Sequence, residues 1–431
     1  MPRVHKRFKK KFMSIVIIGA GQAAIQTIMS LRQHGVKDHI IAIGDEKDPP
    51  YQRPPLSKKF MTGEIDKERL FFKPESYYSE QNVNLMRGTT VTAIDRNAMC
   101  VVLENGQSVA YKTLIIATGS RPRKLPIPGI DQDNVFDLRS IADVEKIMPL
   151  LQSGKNLIVI GGGYIGLETA ASASQKGLHV TILEAAPRPL ARVADQTISD
   201  FYTALHKRNG VNIITNAEID KIQGDGTVSG VQMKNGDVHK ADLIIMGVGI
   251  VPNIELAEAA GLNVDNGIIV DENGMTSDIN IFAAGDCTYH PNKLLGRHIR
   301  LESVPNAIEQ AKTIAAKIAG VPVPYHQIPW FWSDQFDVKL QIVGLTDGAD
   351  TVLLRGNIDE DNFARFHFKK EQLIAVEAIN RPAEFMAGRQ LVDAAARGLK
   401  VDKTILSDET QTPKSWLEIV KAFSPNQKAP A

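Results

Sequence analysis

The stretch Ile15-Val16-Ile17-Ile18-Gly19-Ala20-Gly21-Gln22-Ala23-Ala24 carries a pattern that Leu157-Ile158-Val159-Ile160-Gly161-Gly162-Gly163-Tyr164-Ile165-Gly166 repeats later in the chain. In both copies an apolar run typical of a buried strand enters a glycine-rich turn, and a helix-like segment follows. Such a turn lets the backbone approach a pyrophosphate closely at the N-terminus of the helix. The two copies therefore predict an α/β fold with two dinucleotide-binding sites.

An acidic residue follows a second apolar run after each glycine-rich turn. The run 40–44 is followed by Asp45 and Glu46, and the run 179–183 is followed by Glu184. A carboxylate at this place accepts hydrogen bonds from a ribose hydroxyl pair. We therefore expect Glu184 to bind the ribose of the second nucleotide, and either Asp45 or Glu46 to bind that of the first.

Composition and charge are those of an ordinary globular protein. The chain has 431 residues, of which 43% are hydrophobic, and this length favours two or three domains. The 50 basic and 49 acidic residues give a net charge of +1, so the basic excess typical of a nucleic-acid-binding protein is missing. No apolar stretch approaches the ~18 residues that a membrane span needs. We expect a cytoplasmic monomer or weak homodimer that binds neither nucleic acid nor membrane, with residues 1–12 forming a basic, disordered arm.

The cysteine content excludes several redox centres. Cys100 and Cys287 are the two cysteines of the chain, and they are far apart in sequence. No CxxC pair is present, so we expect neither a redox-active dithiol nor an iron–sulfur cluster nor a metal site. Cys287 is expected to be a buried, inert thiol, and Cys100 an ordinary strand residue.

Glycine and proline residues mark candidate domain boundaries at 118–122, 247–253 and 321–324. After the last of these, alternating strand patterns precede two helices, which predicts an α+β domain at the carboxy terminus. The strands expected outside the repeated motif lie at 113–117, 211–214, 241–246, 279–283, 338–343, 351–354, 363–368 and 373–378. The expected helices lie at 141–151, 305–319, 383–397 and 414–422.

Six motifs occur in a distinctive order: PYQRPPLSK at 50–58, Ala117-Thr118-Gly119, GGGYIGLE at 161–168, Ala284-Gly285-Asp286, ESVPNA at 302–307 and PWFWSDQ at 329–335. With them the chain resembles, from residue 13 to about residue 417, the FAD-dependent NADH:ferredoxin reductases of oxygenase systems, the family of the putidaredoxin and rubredoxin reductases. The resemblance implies a glutathione-reductase-like flavoprotein with two dinucleotide-binding domains and a C-terminal α+β domain. The implied division is an FAD domain at 13–120 and 255–325, an NAD domain at 121–254 and a C-terminal interface domain at 326–431.

The resemblance also implies the catalytic residues Lys58, Glu168 and Trp332. Lys58, expected at the start of a helix, would lie beside flavin N5, with Glu168 as its ion partner and Trp332 near the isoalloxazine and nicotinamide rings. A cation near N5 stabilises reduced flavin. Asp286 would bind the ribityl chain. The other implied FAD contacts are Gly19, Gly21, Ala23, Asp45 or Glu46, Arg53, Val91, Ala117, Thr118, Gly119, Arg139 and Val304. The implied NAD contacts are Gly161, Gly163, Ile165, Gly166, Glu184 and Gly249.

The implied activity is electron transfer from NADH through FAD to a [2Fe-2S] ferredoxin that serves a P450 or a ring-hydroxylating oxygenase. Reduction of rubredoxin or of monodehydroascorbate, and a role like that of the apoptosis-inducing-factor flavoproteins, remain alternatives. Glu184 favours NADH over NADPH because its carboxylate would repel a 2′-phosphate. Lys312, Lys339 and Arg381 are the candidate cations for docking an acidic ferredoxin. The chain departs from its relatives at Gln52, where many of them have aspartate.

Overall fold

The computed structural model describes residues 14–423. Its strands in chain order are β1 (Ser14–Ile18), β2 (Ile40–Ile43), β3 (Val83–Met86), β4 (Val91–Asp95), β5 (Cys100–Leu103), β6 (Ser108–Ile116), β7 (Ser120–Pro122), β8 (Val135–Asp137), β9 (Asn156–Ile160), β10 (His179–Leu183), β11 (Asn212–Ile214), β12 (Ile219–Asp225), β13 (Thr227–Met233), β14 (Val238–Lys240), β15 (Leu243–Met246), β16 (Ile250–Pro252), β17 (Val264–Asp265), β18 (Gly267–Ile269), β19 (Ile281–Ala283), β20 (Thr288–Asn292), β21 (Arg297–Ile299), β22 (Trp330–Gln335), β23 (Val338–Gly344), β24 (Thr351–Asn357), β25 (Asn362–Lys369) and β26 (Gln372–Ile379).

The α-helices are α1 (Gln22–Gln33), α2 (Glu75–Glu80), α3 (Ile141–Ile147), α4 (Tyr164–Gln175), α5 (Gln196–Arg208), α6 (Glu255–Ala259), α7 (Val304–Ile318), α8 (Pro382–Ala396), α9 (Lys403–Ser407) and α10 (Pro413–Ala422). Short 3-10 helices lie at Pro54–Ser57, Lys67–Leu70 and Met148–Leu150. The described chain divides into two compact units. The first comprises 14–52, 71–120 and 252–327, and the second comprises 53–70, 121–251 and 328–423. Within 14–423, every helix is too short or too polar to cross a lipid bilayer.

The first unit is built on a sheet with strand order β3-β2-β1-β6-β5-β4, with β19 also pairing with β6. The strands β3, β2, β1, β6 and β19 pair in parallel, whereas β5 pairs antiparallel with both β6 and β4. Both faces of β1 are buried: Ile15 and Ile17 join the core beneath α1 and α7, and Val16 and Ile18 join the core on the other face. This two-sided burial explains why the run is apolar without interruption.

The second unit contains a parallel sheet with order β11-β10-β9-β15-β8, an antiparallel sheet β12-β13-β14, and an antiparallel sheet β22-β23-β26-β25-β24. The last sheet buries Val376 and Ala378 of β26 against Phe385 and Leu391 of α8, and Trp416 of α10 completes that core. All residues of β25 and β26 are buried except the terminal residues Asn362, Lys369 and Gln372, so both faces of these two strands are covered.

Both strand–turn–helix predictions are confirmed, as β1–α1 and β9–α4, and the strands and helices expected in the carboxy-terminal part match β23–β26, α8 and α10. Two expectations were wrong in detail. The helix expected at 141–151 ends as α3 and a 3-10 turn, because Pro149 cannot continue an α-helix. Lys58 follows the short 3-10 helix Pro54–Ser57 and does not begin a helix. The division into three domains stays a prediction, and the arm at 1–12 lies outside the described residues.

Candidate functional site

The first glycine-rich turn brings Gly19 next to Ala117 in the first unit. Gly19 has a φ of +105°, and a Cβ atom there would lie 2.2 Å from the Ala117 carbonyl oxygen. Hydrogen bonds from the Gly19 amide to the Ile43 carbonyl and from the Ala117 amide to the Ile18 carbonyl, both 2.7 Å, fix the turn at the ends of the parallel strands. A side chain at Gly19 would therefore break the turn.

Gly21 has the geometry that a pyrophosphate requires. It is the residue before α1, has an ordinary φ of −94°, and no side chain caps the helix N-terminus. A Cβ on Gly21 would meet no protein atom within 4 Å. Open space beside uncapped backbone N–H groups fits the pyrophosphate of a dinucleotide such as FAD.

Asp286 lies in the turn that follows β19 and is half-buried. Ser120 Oγ donates a hydrogen bond to its Oδ2 at 2.8 Å. A Cβ on the preceding Gly285 would lie 3.5 Å from the Ala23 Cβ, so this turn adjoins the beginning of α1. The structure thus brings the expected ribityl-binding acid and the first glycine-rich turn together in one unit.

The remaining expected FAD contacts of the first unit occupy several positions around the same sheet. Thr118 and Asn253 bind each other: Thr118 Oγ1 donates to the Asn253 carbonyl at 2.8 Å, and Asn253 Nδ2 donates to the Thr118 carbonyl at 2.9 Å. Gly119 accepts from the Asn253 amide. Val91 is a buried residue of β4, and Val304 is the first residue of α7.

The second turn repeats the geometry of the first. Gly161 has a φ of +108°, and a Cβ there would lie 2.5 Å from the Gly247 carbonyl oxygen. Gly163 precedes α4, which also lacks a side-chain cap, and its Cβ would meet only that same oxygen, at 4.0 Å. Gly166 packs closely, since a Cβ there would lie 2.1 Å from the Gly161 carbonyl oxygen. This turn therefore fits a second pyrophosphate.

Glu184 comes directly after β10 and its carboxylate is held by backbone. Its Oε2 accepts from the Gly162 amide at 2.6 Å, and its Oε1 accepts from the Ala186 amide at 2.7 Å. Nearby, Ile165 in the first turn of α4 is an exposed apolar side chain, 49% accessible. Gly249 has a φ of +92°, with Arg192 close to it.

The two turns place their acids differently. Ile18 pairs with Ile43 as Ile160 pairs with Leu183, so Gly44 occupies the position equivalent to Glu184. A Cβ on Gly44 would lie 2.6 Å from the Ala20 Cβ, whereas the second turn has Gly162 at that place. The first acid must therefore follow one or two residues later. Asp45 is exposed, and Glu46 is half-buried and accepts from the Tyr51 hydroxyl at 2.5 Å.

Glu168, on α4, is the centre of a buried hydrogen-bond cluster in the second unit. Its side chain is 3% exposed, and Lys58 Nζ lies 2.6 Å from its Oε2. Ser57 Oγ donates to the same oxygen at 2.7 Å, and Ser333 Oγ donates to Oε1 at 2.7 Å. Two segments that are far apart in the chain, 57–58 and the one containing Ser333, thus donate to one carboxylate, and the expected Lys58–Glu168 pair is present.

The other expected site residues of the second unit lie on separate elements. Arg53 Nη1 donates to the Arg139 carbonyl at 2.7 Å. Trp332 is a half-buried residue of β22, and its ring centroid is 5.6 Å from that of Trp330.

Four residues that are buried around Glu168 or linked to it were not expected from the sequence: Ser57, Ser333, Gln335 and His206. The sequence of β22 contained an indication of this cluster. Ser333 and Gln335 are polar residues two positions apart in an aromatic strand segment, so they share one face. Glu168, the partner of Ser333, could not be found from the sequence because it lies 165 positions from Ser333.

The chain matches the family model for the pyridine nucleotide-disulphide oxidoreductases over residues 13–311, and the model for the reductase C-terminal domain over 330–417. It belongs to the pyridine nucleotide-disulphide oxidoreductase family. This oxidoreductase is 44% identical to rhodocoxin reductase of Rhodococcus erythropolis, over 88% of this chain and 89% of that protein. It is 40% identical to putidaredoxin reductase of Pseudomonas putida, over 95% and 98% of the two chains.

The structure of this oxidoreductase is similar to that of putidaredoxin reductase in its covalent complex with putidaredoxin. The TM-score is 0.92 at 40% identity, with 95% of this chain and 99% of the other covered. The expected fold class, two dinucleotide-binding motifs followed by a C-terminal α+β domain, and the expected family are thereby confirmed.

Both cysteines of this oxidoreductase are free, so the disulphide chemistry in the family's name has no counterpart here. Cys287 is fully buried, and burial raises the pKa of its thiol to about 11. A thiol that stays protonated is a poor nucleophile, and the prediction of an inert Cys287 is consistent with this environment.

Proposed function

We propose that this oxidoreductase transfers electrons from NADH through FAD to a [2Fe-2S] ferredoxin, which supplies a P450 or a ring-hydroxylating oxygenase. The observation that carries the proposal is the occurrence, in one chain, of two glycine-rich turns with room for a pyrophosphate and a buried Lys58–Glu168 pair without a redox dithiol. A relative with the same fold forms a covalent complex with putidaredoxin, which supports a small redox protein as the acceptor.

FAD binds the first unit in this proposal, with its pyrophosphate at Gly19, Gly21 and Ala23 and its ribityl chain at Asp286. When bound, FAD accepts two electrons from a nicotinamide and passes them on singly. The open space at Gly21 and the uncapped start of α1 support this assignment. Supporting contacts within this unit come from Asp45 or Glu46, Val91, Ala117, Thr118, Gly119 and Val304.

Lys58 acts as the cation beside flavin N5, and Glu168 orients it. The short contact and the burial of Glu168 support this role, because a charge pair shielded from water is fixed in position and acts strongly. Trp332 shapes the side on which the nicotinamide approaches. The Lys58 ammonium thus places positive charge where reduction of the flavin adds negative charge.

NADH binds the second turn, at Gly161, Gly163 and Gly166, with Ile165 and Gly249 as apolar and backbone contacts. Glu184 accepts from the adenosine ribose hydroxyls and repels a 2′-phosphate. Its carboxylate is already positioned by the Gly162 and Ala186 amides, which supports a preorganised ribose site. We place the reaction in the cytoplasm, where NADH serves as reductant.

The test is a comparison of electron acceptors. The purified flavoprotein should be bleached by NADH much faster than by NADPH, and it should reduce cytochrome c only when a putidaredoxin-type [2Fe-2S] ferredoxin is added. A rubredoxin offered at the same concentration should support slower turnover. Equal bleaching by NADPH would contradict the cofactor assignment, and faster turnover with rubredoxin would contradict the acceptor assignment.

A further inference from the structure

A chain of buried polar side chains continues from Glu168 through the second unit. Ser333 Oγ, bonded to Glu168 Oε1, lies 3.1 Å from Gln335 Nε2, and Gln335 Oε1 lies 2.8 Å from His206 Nε2. Ser333 and His206 are 0% exposed and Gln335 is 1% exposed. This series of hydrogen bonds links α4, β22 and α5.

The direction of each hydrogen bond follows from Glu168. A carboxylate has acceptors and no hydrogen to give, so Ser333 donates its single hydroxyl hydrogen to Oε1. The hydroxyl then offers lone pairs to Gln335, so the amide must present its NH2 group to Ser333. Consequently Gln335 turns its carbonyl oxygen to His206, which must carry a hydrogen on Nε2.

His206 has the environment that this last step requires. Its Nδ1 is buried and has no hydrogen-bond partner among the described residues, which suits an unprotonated ring nitrogen. A buried N–H without an acceptor there would be costly. Burial lowers the pKa of His206 to about 4, and this outweighs the opposite effect of its hydrogen bond with Gln335. Near neutral pH the ring is therefore neutral and carries one hydrogen.

We propose that Ser333, Gln335 and His206 are positioning residues for Glu168, forming a relay in which every hydrogen bond is donated toward the carboxylate. The inference rests on the proposed function, because it assigns the relay to the Lys58–Glu168 pair. By fixing Oε1, Ser333 sets the plane of the carboxylate, so that Oε2 faces Lys58 Nζ and Ser57. His206 and Gln335 in turn fix the orientation of the Ser333 hydroxyl.

The first test is Ser333→Ala, with Ser333→Thr as the conservative variant. Ser333→Ala removes the donor to Oε1, so hydride transfer from NADH should slow about three- to tenfold while KM for NADH stays unchanged. The flavin midpoint potential should become more negative, because a dipole whose positive end faces Glu168 is lost. Ser333→Thr keeps the hydroxyl and should restore both values.

Ser199→Ala is the matched control. Ser199 is also fully buried, lies on α5 with His206, and donates to the Pro189 carbonyl at 2.6 Å, away from Glu168. It should leave the hydride-transfer rate and the potential at wild-type values. If Ser333→Ala changes neither quantity, or if Ser199→Ala changes both equally, the relay does not position Glu168.

The second test determines the direction of the hydrogen bonds in the relay without measuring enzyme activity. Nitrogen-15 NMR of histidine-labelled flavoprotein, with the His206 signals assigned by their loss in His206→Gln, reports which ring nitrogen is protonated. The relay requires hydrogen on Nε2 and none on Nδ1 at pH 7. Hydrogen on Nδ1 would overturn the proposal even if Ser333→Ala failed to fold.

Lys58→Met separates this inference from the proposed function. If Lys58→Met slows hydride transfer and Ser333→Ala does not, the relay fails while the proposed role of Lys58 stands. If Lys58→Met is reduced by NADH as fast as wild type, the proposed role of the ion pair fails. The protonation state of His206 then still decides whether the relay runs toward Glu168.

Discussion

Lys58 Nζ lies 2.6 Å from Glu168 Oε2, although the two residues are 110 positions apart in the chain. Lys58 is 18% exposed and Glu168 is 3% exposed, so the carboxylate is the more deeply buried partner. Removing one partner of such a pair leaves a buried charge without its counterion, which is strongly unfavourable. The pair is therefore expected to affect both the chemistry of the site and the stability of the second unit.

Lys58→Met should keep FAD bound, slow flavin reduction by NADH about 10- to 100-fold, and lower the flavin midpoint potential, because the reduced flavin loses a stabilising charge. Stopped-flow reduction and a potentiometric titration measure the two effects. Lys59→Met, which changes the exposed neighbouring lysine, is the control. Reduction of Lys58→Met at the wild-type rate would show that Lys58 has a structural role only.

Gly21→Ala and Gly163→Ala are each the control for the other. Both glycines have ordinary φ values, and a Cβ at either meets no protein atom closer than 4.0 Å, so both variants should fold. If pyrophosphates occupy those spaces, Gly21→Ala should lose FAD, whereas Gly163→Ala should keep FAD but raise KM for NADH at least tenfold. Flavin absorbance after gel filtration and steady-state kinetics distinguish them. Full FAD content in Gly21→Ala would contradict the first assignment.

Glu184→Ala should weaken discrimination between the two nicotinamide nucleotides. The variant loses the ribose acceptor and the negative charge opposite a 2′-phosphate, so KM for NADH should rise about tenfold and that for NADPH should fall. Steady-state reduction of ferricyanide measures both constants. Glu218→Ala, at an exposed acid of the same unit that pairs with Lys234, should change neither. An unchanged NADH preference in Glu184→Ala would place the ribose contact elsewhere.

Docking of an acidic ferredoxin should depend on salt. Of the three cations expected from the sequence to take part, Lys312 and Lys339 have side chains that are 51% and 56% exposed. Each of the three cations is paired with an acid, but Arg381 is only 15% exposed and is bound to both Glu384 and Glu409, so it is the least suited of the three to docking. Ferredoxin-dependent cytochrome c reduction should fall steeply as ionic strength rises, because exposed charges act mainly on association.

The variant that tests this docking is Lys312→Glu combined with Lys339→Glu. It should weaken ferredoxin-dependent turnover and leave NADH-to-ferricyanide turnover intact. Equal losses in the two assays would place the defect in the nucleotide sites and remove these lysines from docking.

The stability of the protein should fall as the pH is lowered from about 6.5 to 4. Burial lowers the pKa of both His206 and His290 to about 4, below the ordinary value of 6.5. A depressed histidine pKa means that the unfolded state binds the proton more readily than the folded state. The free energy of unfolding is therefore unaffected by these rings above pH 6.5 and decreases as the pH falls from 6.5 towards 4. Each ring contributes roughly 3 kcal/mol to the effect.

Thermal unfolding of His206→Gln should depend less on pH than that of wild type, whereas His34→Gln, at an exposed histidine, should behave as wild type. Equal pH dependence in all three would exclude His206.

Short-range chemistry made the two nucleotide turns predictable. Gly19 and Gly161 have a positive φ, and the apolar runs before them are buried on both faces. Both features depend on residues that are adjacent in the sequence. Most strands and helices were predictable for the same reason, since they too depend on residues that are close in the sequence. Lys58 and Glu168 were found because they stand inside motifs that the chain shares with a family, since spacing alone does not pair them.

Tertiary structure decided what surrounds Glu168. Ser57, Ser333, Gln335 and His206 come from a 3-10 turn, a strand and a helix, and only their folding into one unit places them along a single hydrogen-bond chain. The spacing of Ser333 and Gln335 places them on one face of β22, but residues of these types are common at surfaces and in turns, so the sequence does not connect them with Glu168 or His206. The sequence by itself determined the two glycine-rich turns and the strands before them, because those depend on neighbouring residues. The packing of distant segments decided which polar groups hold the carboxylate, because a buried acceptor binds whatever donors the fold brings within about 3 Å.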